Sequence, residues 1–481
     1  MSPLPLLPQP QSVLTDPEVT FPLDQPLRLE VDESLRLVVE VPLAEFLTAS
    51  GAELTPDASR TIALQIEPDG WENPSPEAYR IRVEAERVQL SAPTDLGIIR
   101  ALATLVQLVE DGHLPGVEID DAPRFTWRGL TLDVARSFFP PNEVKQVIDL
   151  LARYKFNRLH LHLSDDQGWR LEVPSHPELT EISGPTAIAG GRGGFYTQAE
   201  FADLVGYAEA RGIDVIPELD VPGHTNAATH ACPELNPDGQ PTDAYDGMQV
   251  GFSRLHAALP ATREFLQSVF ADAAEQTESA YLHLGGDEAL ALESDEYVQL
   301  VGEAVHAVLA TGKEIVGWQE IAQAALPPGS VVQFWDGRSG TEAVVQAAQR
   351  GALVVMSPAE HTYLDLKYDQ STELGQDWAG YVELSDSYRW EPTRVIEGLD
   401  PRAVVGVEAA IWTETIHSLE DLMVMLLPRL AAVAEVAWTE ELNWESFTRR
   451  VAAQTSWWKG RQWPYHRSAG VSWPTPQAEL G

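Results

Sequence analysis

Cysteine is almost missing: Cys232 is the only one in 481 residues. An intramolecular disulfide framework is therefore excluded, which suits a reducing compartment. A lone thiol before Pro233 reads as a packing residue rather than a nucleophile. Basic charge is short as well, with 32 Lys and Arg against 73 Asp and Glu and a formal net charge of −41. A chain without basic patches does not suit phosphate backbones, so no nucleic-acid partner is expected. The acidic residues are dispersed rather than gathered in a tail, which predicts a solvated acidic surface of either lineage or salt-tolerance origin. No run of about 18 apolar residues occurs, so neither a membrane span nor a membrane partner is expected. The first basic residue is Arg28 and prolines interrupt the early apolar positions. No secretion signal is expected on that pattern, and a cytoplasmic location is, with another export route left open.

What is present divides into two parts. Residues 1–120 read as a small α+β accessory domain. Its strand candidates are Leu27–Val31, Leu35–Glu40 and Ile62–Ile66, with a hairpin through Tyr79–Val83 and Val88–Ser91 and a helix from Thr94 to Glu110. The rest, 121–481, carries eight short apolar runs, most separated by helical periodicity, and a C-terminal extension. The runs are Leu130–Asp133, Arg158–Leu163, Asp214–Leu219, Tyr281–Leu284, Glu314–Trp318, Val331–Trp335, Leu353–Met356 and Val404–Ala409. Helices are expected over Asn142–Tyr154, after a capping box at Thr197, over Pro260–Gln276 and Asp295–Leu309, and from Ser418 to Trp438. This alternation predicts an α/β fold, a (β/α)8 TIM barrel.

A barrel of this kind places its active site at the C-terminal ends of its strands. Polar and aromatic residues collect there: Arg136, Asp165 and Asp166, Glu218, Asp220 and His224, Asp287 and Glu288, Trp318, Trp335, Tyr363 and Asp365, Trp412 and Glu414. The densest signal is Leu282-His283-Leu284-Gly285-Gly286-Asp287-Glu288, where an apolar run ends in two glycines and two adjacent carboxylates. Burial and the neighbouring anion predict that one of the pair holds its proton, as acid–base work on a glycosidic bond requires. Several tryptophans at one rim suggest a sugar site, because pyranose C–H faces pack on aromatic rings while hydroxyls seek charged partners. Arg128, Asp365 and Glu414 can supply such partners, although Arg128 precedes its strand run and structural pairing stays open. His224, near Asp165 or Asp166, can be oriented by a carboxylate and assist the acid. His160, His162, His224 and His283 form no HExxH pattern, and no metal or cofactor is expected.

Several segments resemble family 20 glycoside hydrolases, the β-N-acetylhexosaminidases. They are Asp121-Ala122-Pro123-Arg124-Phe125-Thr126-Trp127-Arg128-Gly129, His162-Leu163-Ser164-Asp165-Asp166-Gln167-Gly168-Trp169-Arg170, Pro222-Gly223-His224, and His283 through Glu288. The likeness continues in Gly317-Trp318-Gln319-Glu320, Ser357 through Asp365, and Trp412-Thr413-Glu414. It implies an exo-acting, retaining enzyme on terminal β-N-acetylhexosamine, in which the substrate's own 2-acetamido oxygen attacks through an oxazolinium intermediate. On that resemblance Glu288 is the acid and base, Asp287 orients the acetamido N–H, and Tyr363 meets the acetamido oxygen. Trp318, Trp335 and Trp412 wall the acetamido pocket, and Trp378 flanks the aglycone. Arg128, Asp365 and Glu414 hold hydroxyls, and His224 with Asp165 or Asp166 supports Glu288. Val221 and Ser164 replace a common Met and Thr. A disaccharide-releasing, lacto-N-biosidase-like relative and a non-catalytic amino-sugar-binding protein are the competing expectations.

Overall fold

The computed structural model describes residues 4–72 and 75–475. Eight parallel strands close into a barrel: Trp127–Asp133, Arg158–His162, Asp214–Glu218, Tyr281–His283, Glu314–Trp318, Val331–Phe334, Leu353–Met356 and Val404–Ile411. All eight predicted runs form strands, and the eighth pairs with the first from Gly406↔Trp127 to Ile411↔Leu132. Helices cover the barrel through apolar stripes. In Pro141–Arg153, for instance, Val144, Val147, Ile148 and Leu151 are buried. The predicted capping box is present, Thr197 accepting from the Glu200 amide while Glu200 reaches back to the Thr197 N–H.

Two expectations fail for local reasons. Leu35–Glu40 is not a strand: Glu33–Arg36 and Glu40–Ser50 are helical. Leu35, Val39, Leu43 and Phe46 are all buried, at a spacing of three to four that fits one helix face. The predicted helix from Ser418 to Trp438 is two helices, Leu419–Leu426 and Arg429–Trp438. Pro428 stands at the break, where it lacks the N–H that a continuous helix would need.

The accessory domain is a six-stranded sheet in the order 12–22, 113–121, 79–83, 87–92, 60–66, 27–31, covered by the helix Asp95–Gln107. It is joined to the barrel by buried polar contacts. Glu77 pairs with Arg100 at 2.7 Å and with Arg128, and accepts from Asn157 Nδ2 at 3.0 Å. Lys155 sits 3.2 Å from Asp121, and the Trp438 indole donates to the same carboxyl at 3.0 Å. Trp438 is packed within the accessory domain's own core.

Candidate active site

After the fourth barrel strand, Tyr281–His283, the chain turns at Gly285 and Gly286, with φ of 70° and 106°. A Cβ on Gly285 would fall 1.7 Å from Asp220 Oδ1, and the same oxygen accepts the Gly286 N–H at 3.0 Å. Only glycine fits this turn, and the turn delivers Asp287 and Glu288 to the barrel mouth. Glu288 and His224 both hold left-handed backbone, φ 43° and 52°, a strain that persists where packing over-determines it. The Asp287 side chain is 13 % exposed and that of Glu288 32 %, so Glu288 is the more open of the two. Burial pushes the Asp287 pKa up; His224 opposes this, and the Glu288 and Glu218 charges add to it. Asp220, fully buried beside Asp287, is pushed well above the usual carboxylate range by burial and then by the Asp287 charge.

His224 links this pair to the second strand. Its Nε2 is 3.5 Å from Asp287 Oδ2 and 3.5 Å from Glu288 Oε2. Its Nδ1 is 3.1 Å from Asp165 Oδ1 and 4.0 Å from Asp166 Oδ2, so Asp165 is the partner that orients the ring. Burial disfavours the imidazolium, but Asp165 and Asp287 outweigh it and raise the His224 pKa well above its ordinary value. Burial likewise opposes ionisation of Asp165, which Arg136, His224 and His162 nevertheless hold well below the usual range. Asp166 does other work: its Oδ1 accepts from Ser253 Oγ and from the Asn226 N–H at 3.0 Å, anchoring the loop that carries His224.

Opposite the carboxylates stands an aromatic wall. Trp335 and Tyr363 lie nearly parallel at 6.2 Å between centroids, Trp378 meets both edge-on, and Trp412 tilts against Tyr363 at 6.1 Å. Beneath them Trp318 is 1 % exposed, packs on Trp412 at 5.7 Å and donates to Glu218 at 2.9 Å. Trp335, Tyr363, Trp378 and Trp412, with Asp287, Glu288, Arg136, Gln376, Glu414, Met248, Val250 and Arg338, bound a cavity of about 250 Å³; Trp318, expected in its wall, lies behind Trp412 and does not line it. Trp378 is 40 % exposed. Arg338 approaches the Trp378 ring to 5.1 Å.

The expectation for Arg128 is corrected. Its strand begins at Trp127, so Arg128 sits at the opposite end of the barrel from the carboxylates. There it pairs with Glu77 and donates to the carbonyls of Phe125 and Lys155. The guanidinium at the site is that of Arg136, which follows the same strand, lies 2.8 Å from Asp165 Oδ2 and stacks over Trp412 at 5.1 Å. Its position at a strand's C-terminal end was the available signal. Glu414 lines the cavity, and burial, partly offset by Arg136, raises its pKa. Asp365 is 1 % exposed, and burial followed by the Glu414 charge pushes it well up. Glu320, at the end of the Gly317-Trp318-Gln319-Glu320 segment, gains its place only from the fold. It accepts from the Trp335 indole at 3.2 Å, and burial and then Asp287 push its carboxyl up to about 8. His160, His162 and His283 surround Glu218 inside the barrel, each with one nitrogen within 3.0 Å of its oxygens.

A strand-end carboxylate pair facing an aromatic box is the arrangement that the sequence motifs of family 20 predict. Residues 125–299 and 293–441 match "Glycosyl hydrolase family 20, catalytic domain", and residues 4–122 match "Glycosyl hydrolase family 20, domain 2". The chain belongs to glycoside hydrolase family 20. It is 52 % identical over 412 residues to a β-N-acetylhexosaminidase of Cellulomonas fimi, covering 84 % of this chain and 83 % of that protein. A β-hexosaminidase of Akkermansia muciniphila is 33 % identical over 84 % of this chain and 88 % of its own length. Among solved structures, the Streptomyces plicatus N-acetyl-β-hexosaminidase complexed with Thio-NAglucal superposes with a TM-score of 0.92 at 37 % identity, covering 98 % of both chains. As a family 20 member the protein is a glycoside hydrolase.

Proposed function

We propose that the cavity holds one terminal β-N-acetylhexosamine and that the enzyme releases it from the non-reducing end with retention. The carrying observation is the aromatic wall of Trp335, Tyr363 and Trp412 facing Asp287 and Glu288 across one cavity of about 250 Å³. An apolar wall opposite paired carboxylates suits an acetamido methyl, and the volume is at the small end of ligand pockets, which favours one sugar over a disaccharide. A variant of the Streptomyces plicatus enzyme binds the product GlcNAc, and a Vibrio harveyi exo-β-N-acetylglucosaminidase, 30 % identical with a TM-score of 0.84, binds N-acetylglucosamine.

In this reading Glu288 protonates the leaving oxygen and then activates water. Asp287 receives the acetamido N–H and balances the positive charge that develops on the oxazolinium. Tyr363 meets the acetamido oxygen. Arg136 and Glu414, with Asp365, hold the sugar hydroxyls and close the far end, which makes the action exo. Trp378 offers a face to the aglycone. Holding the acetamido oxygen against the anomeric carbon replaces a bimolecular attack, worth at most about 7–11 kcal/mol.

The test is a panel of aryl β-N-acetylglucosaminide, β-N-acetylgalactosaminide, β-glucoside and lacto-N-bioside. The N-acetylhexosaminides should turn over and the β-glucoside should be nearly inert. Preferential release from lacto-N-bioside would replace the single-sugar reading. A stable 2-fluoro-sugar adduct on a protein carboxylate would overturn substrate assistance.

A further inference from the structure

A chain of buried charge continues behind His224. Asp165 Oδ1 faces His224 Nδ1 at 3.1 Å, while Asp165 Oδ2 is 2.8 Å from His162 Nε2 and 2.8 Å from Arg136. The other nitrogen of His162, Nδ1, is 2.6 Å from Glu218 Oε2. Glu218 also contacts His160 and His283 and accepts the Trp318 indole N–H. All four members of the chain, Glu218, His162, Asp165 and His224, are at most 2 % exposed. A histidine gripped at both nitrogens by carboxylates cannot turn, and in a dry interior such a network acts as a unit.

We propose that His162, held by Glu218, is a positioning residue for the acid–base pair: it fixes Asp165 as an acceptor and so fixes the His224 ring against Asp287 and Glu288. This rests on the reading of Glu288 as acid and base. His162 does not line the cavity, so its influence travels through Asp165 and His224. The groups facing His162 are Glu218, Asp165 and Asp220, with Arg136 beyond Asp165 and the Trp412 ring nearly perpendicular at 5.1 Å between centroids. Burial opposes the His162 cation, but Glu218 and Asp165 raise its pKa well above the ordinary value, so a charge sits at this point of the chain.

Two substitutions separate the two contacts. In His162→Gln the amide reaches where Nε2 was and keeps a donor for Asp165. In His162→Asn it reaches only where Nδ1 was and keeps the contact to Glu218. His162→Asn should lower kcat by roughly tenfold or more, a fraction of the 10²–10⁴ carried by acid–base assistance, with little change in KM. His162→Gln should retain more of kcat. Either change removes a cation near Asp165, so the alkaline limb of kcat/KM should move to higher pH, since His224 holds its proton longer. Melting curves taken alongside report folding. If His162→Asn fails to fold, the limb of His162→Gln decides. Equal kcat in the two variants, or an unmoved limb with loss only in melting temperature, would overturn the proposal. Wild-type inactivity on the N-acetylhexosaminides would instead strike the functional reading on which it rests.

Discussion

Two arginines show how little residue type decides and how much position does. Arg128 and Arg136 belong to one strand and its exit, are both nearly fully buried and both pair with carboxylates, yet at opposite ends of the barrel. Arg136→Ala should cost about 2–5 kcal/mol in transition-state stabilisation, read from kcat/KM, because Asp165 and Glu414 lose their shared cation. Arg128→Ala should leave kcat/KM of the folded fraction near wild type and lower stability by about 3–5 kcal/mol, since Glu77 keeps only Arg100 as a cationic partner. Denaturant melts and initial rates on the two proteins would reverse this assignment if Arg128→Ala lost activity without losing stability.

At the scale of the element, the loop after the fourth strand is as decisive as the carboxylates on it. Gly285→Ala places a methyl 1.7 Å from Asp220 Oδ1 in left-handed backbone. The backbone cannot yield without moving the Gly286 N–H off Asp220 and turning Asp287 away from His224. A loss of at least 10²-fold in kcat is expected, in line with the effect of displacing catalytic groups by about 1 Å. A Gly285→Ala enzyme with wild-type kcat would show that the turn tolerates a side chain.

At the scale of the whole molecule, buried charge ties stability to pH. Glu77, against burial, is held by Arg128 and Arg100 down to about 2, from an ordinary 4.5. Its contribution is present above 4.5 and lost as pH falls through about 2. His160, against burial, is raised by Glu218 and Glu408 from 6.5 to about 9. Its contribution is complete below 6.5 and is lost as pH rises through about 9. Glu320 is an acid pushed up to about 8, so ionising it penalises the folded state between 4.5 and 8. The last two act in the same direction, and the melting temperature should fall from pH 5.5 to pH 9. Glu320→Gln removes one ionisation and should reduce that fall. A melting temperature that rises with pH over this range would contradict the assigned charges. Glu77→Ala should destabilise by about 3–5 kcal/mol in denaturant melts, because Arg100 and Arg128 lose their common anion across the domain contact.

The barrel was legible because each of its strands is a short apolar run followed by a helix with its own periodicity, and that alternation admits few topologies. The carboxylate pair, His224 and the tryptophans were legible because strand ends in a barrel converge on one mouth. Other features depended on contacts between residues far apart in sequence. The strand Ser12–Pro22 is mostly exposed, so it lacks the alternation that marks a strand, and its pairing with His113–Asp121 makes it one. Trp438, Trp458 and Trp463 are buried in packing away from any strand end, a difference that residue type alone does not show. The partner of His224 was ambiguous between Asp165 and Asp166 because adjacent residues differ only in direction, and the fold turns one toward the ring and the other toward Ser253. Sequence set the architecture and the chemical inventory, since apolar periodicity and strand-end position are local properties. Which arginine faces the sugar, which aspartate holds the histidine and which carboxyls keep their protons were decided by tertiary structure, because burial and charge act through space.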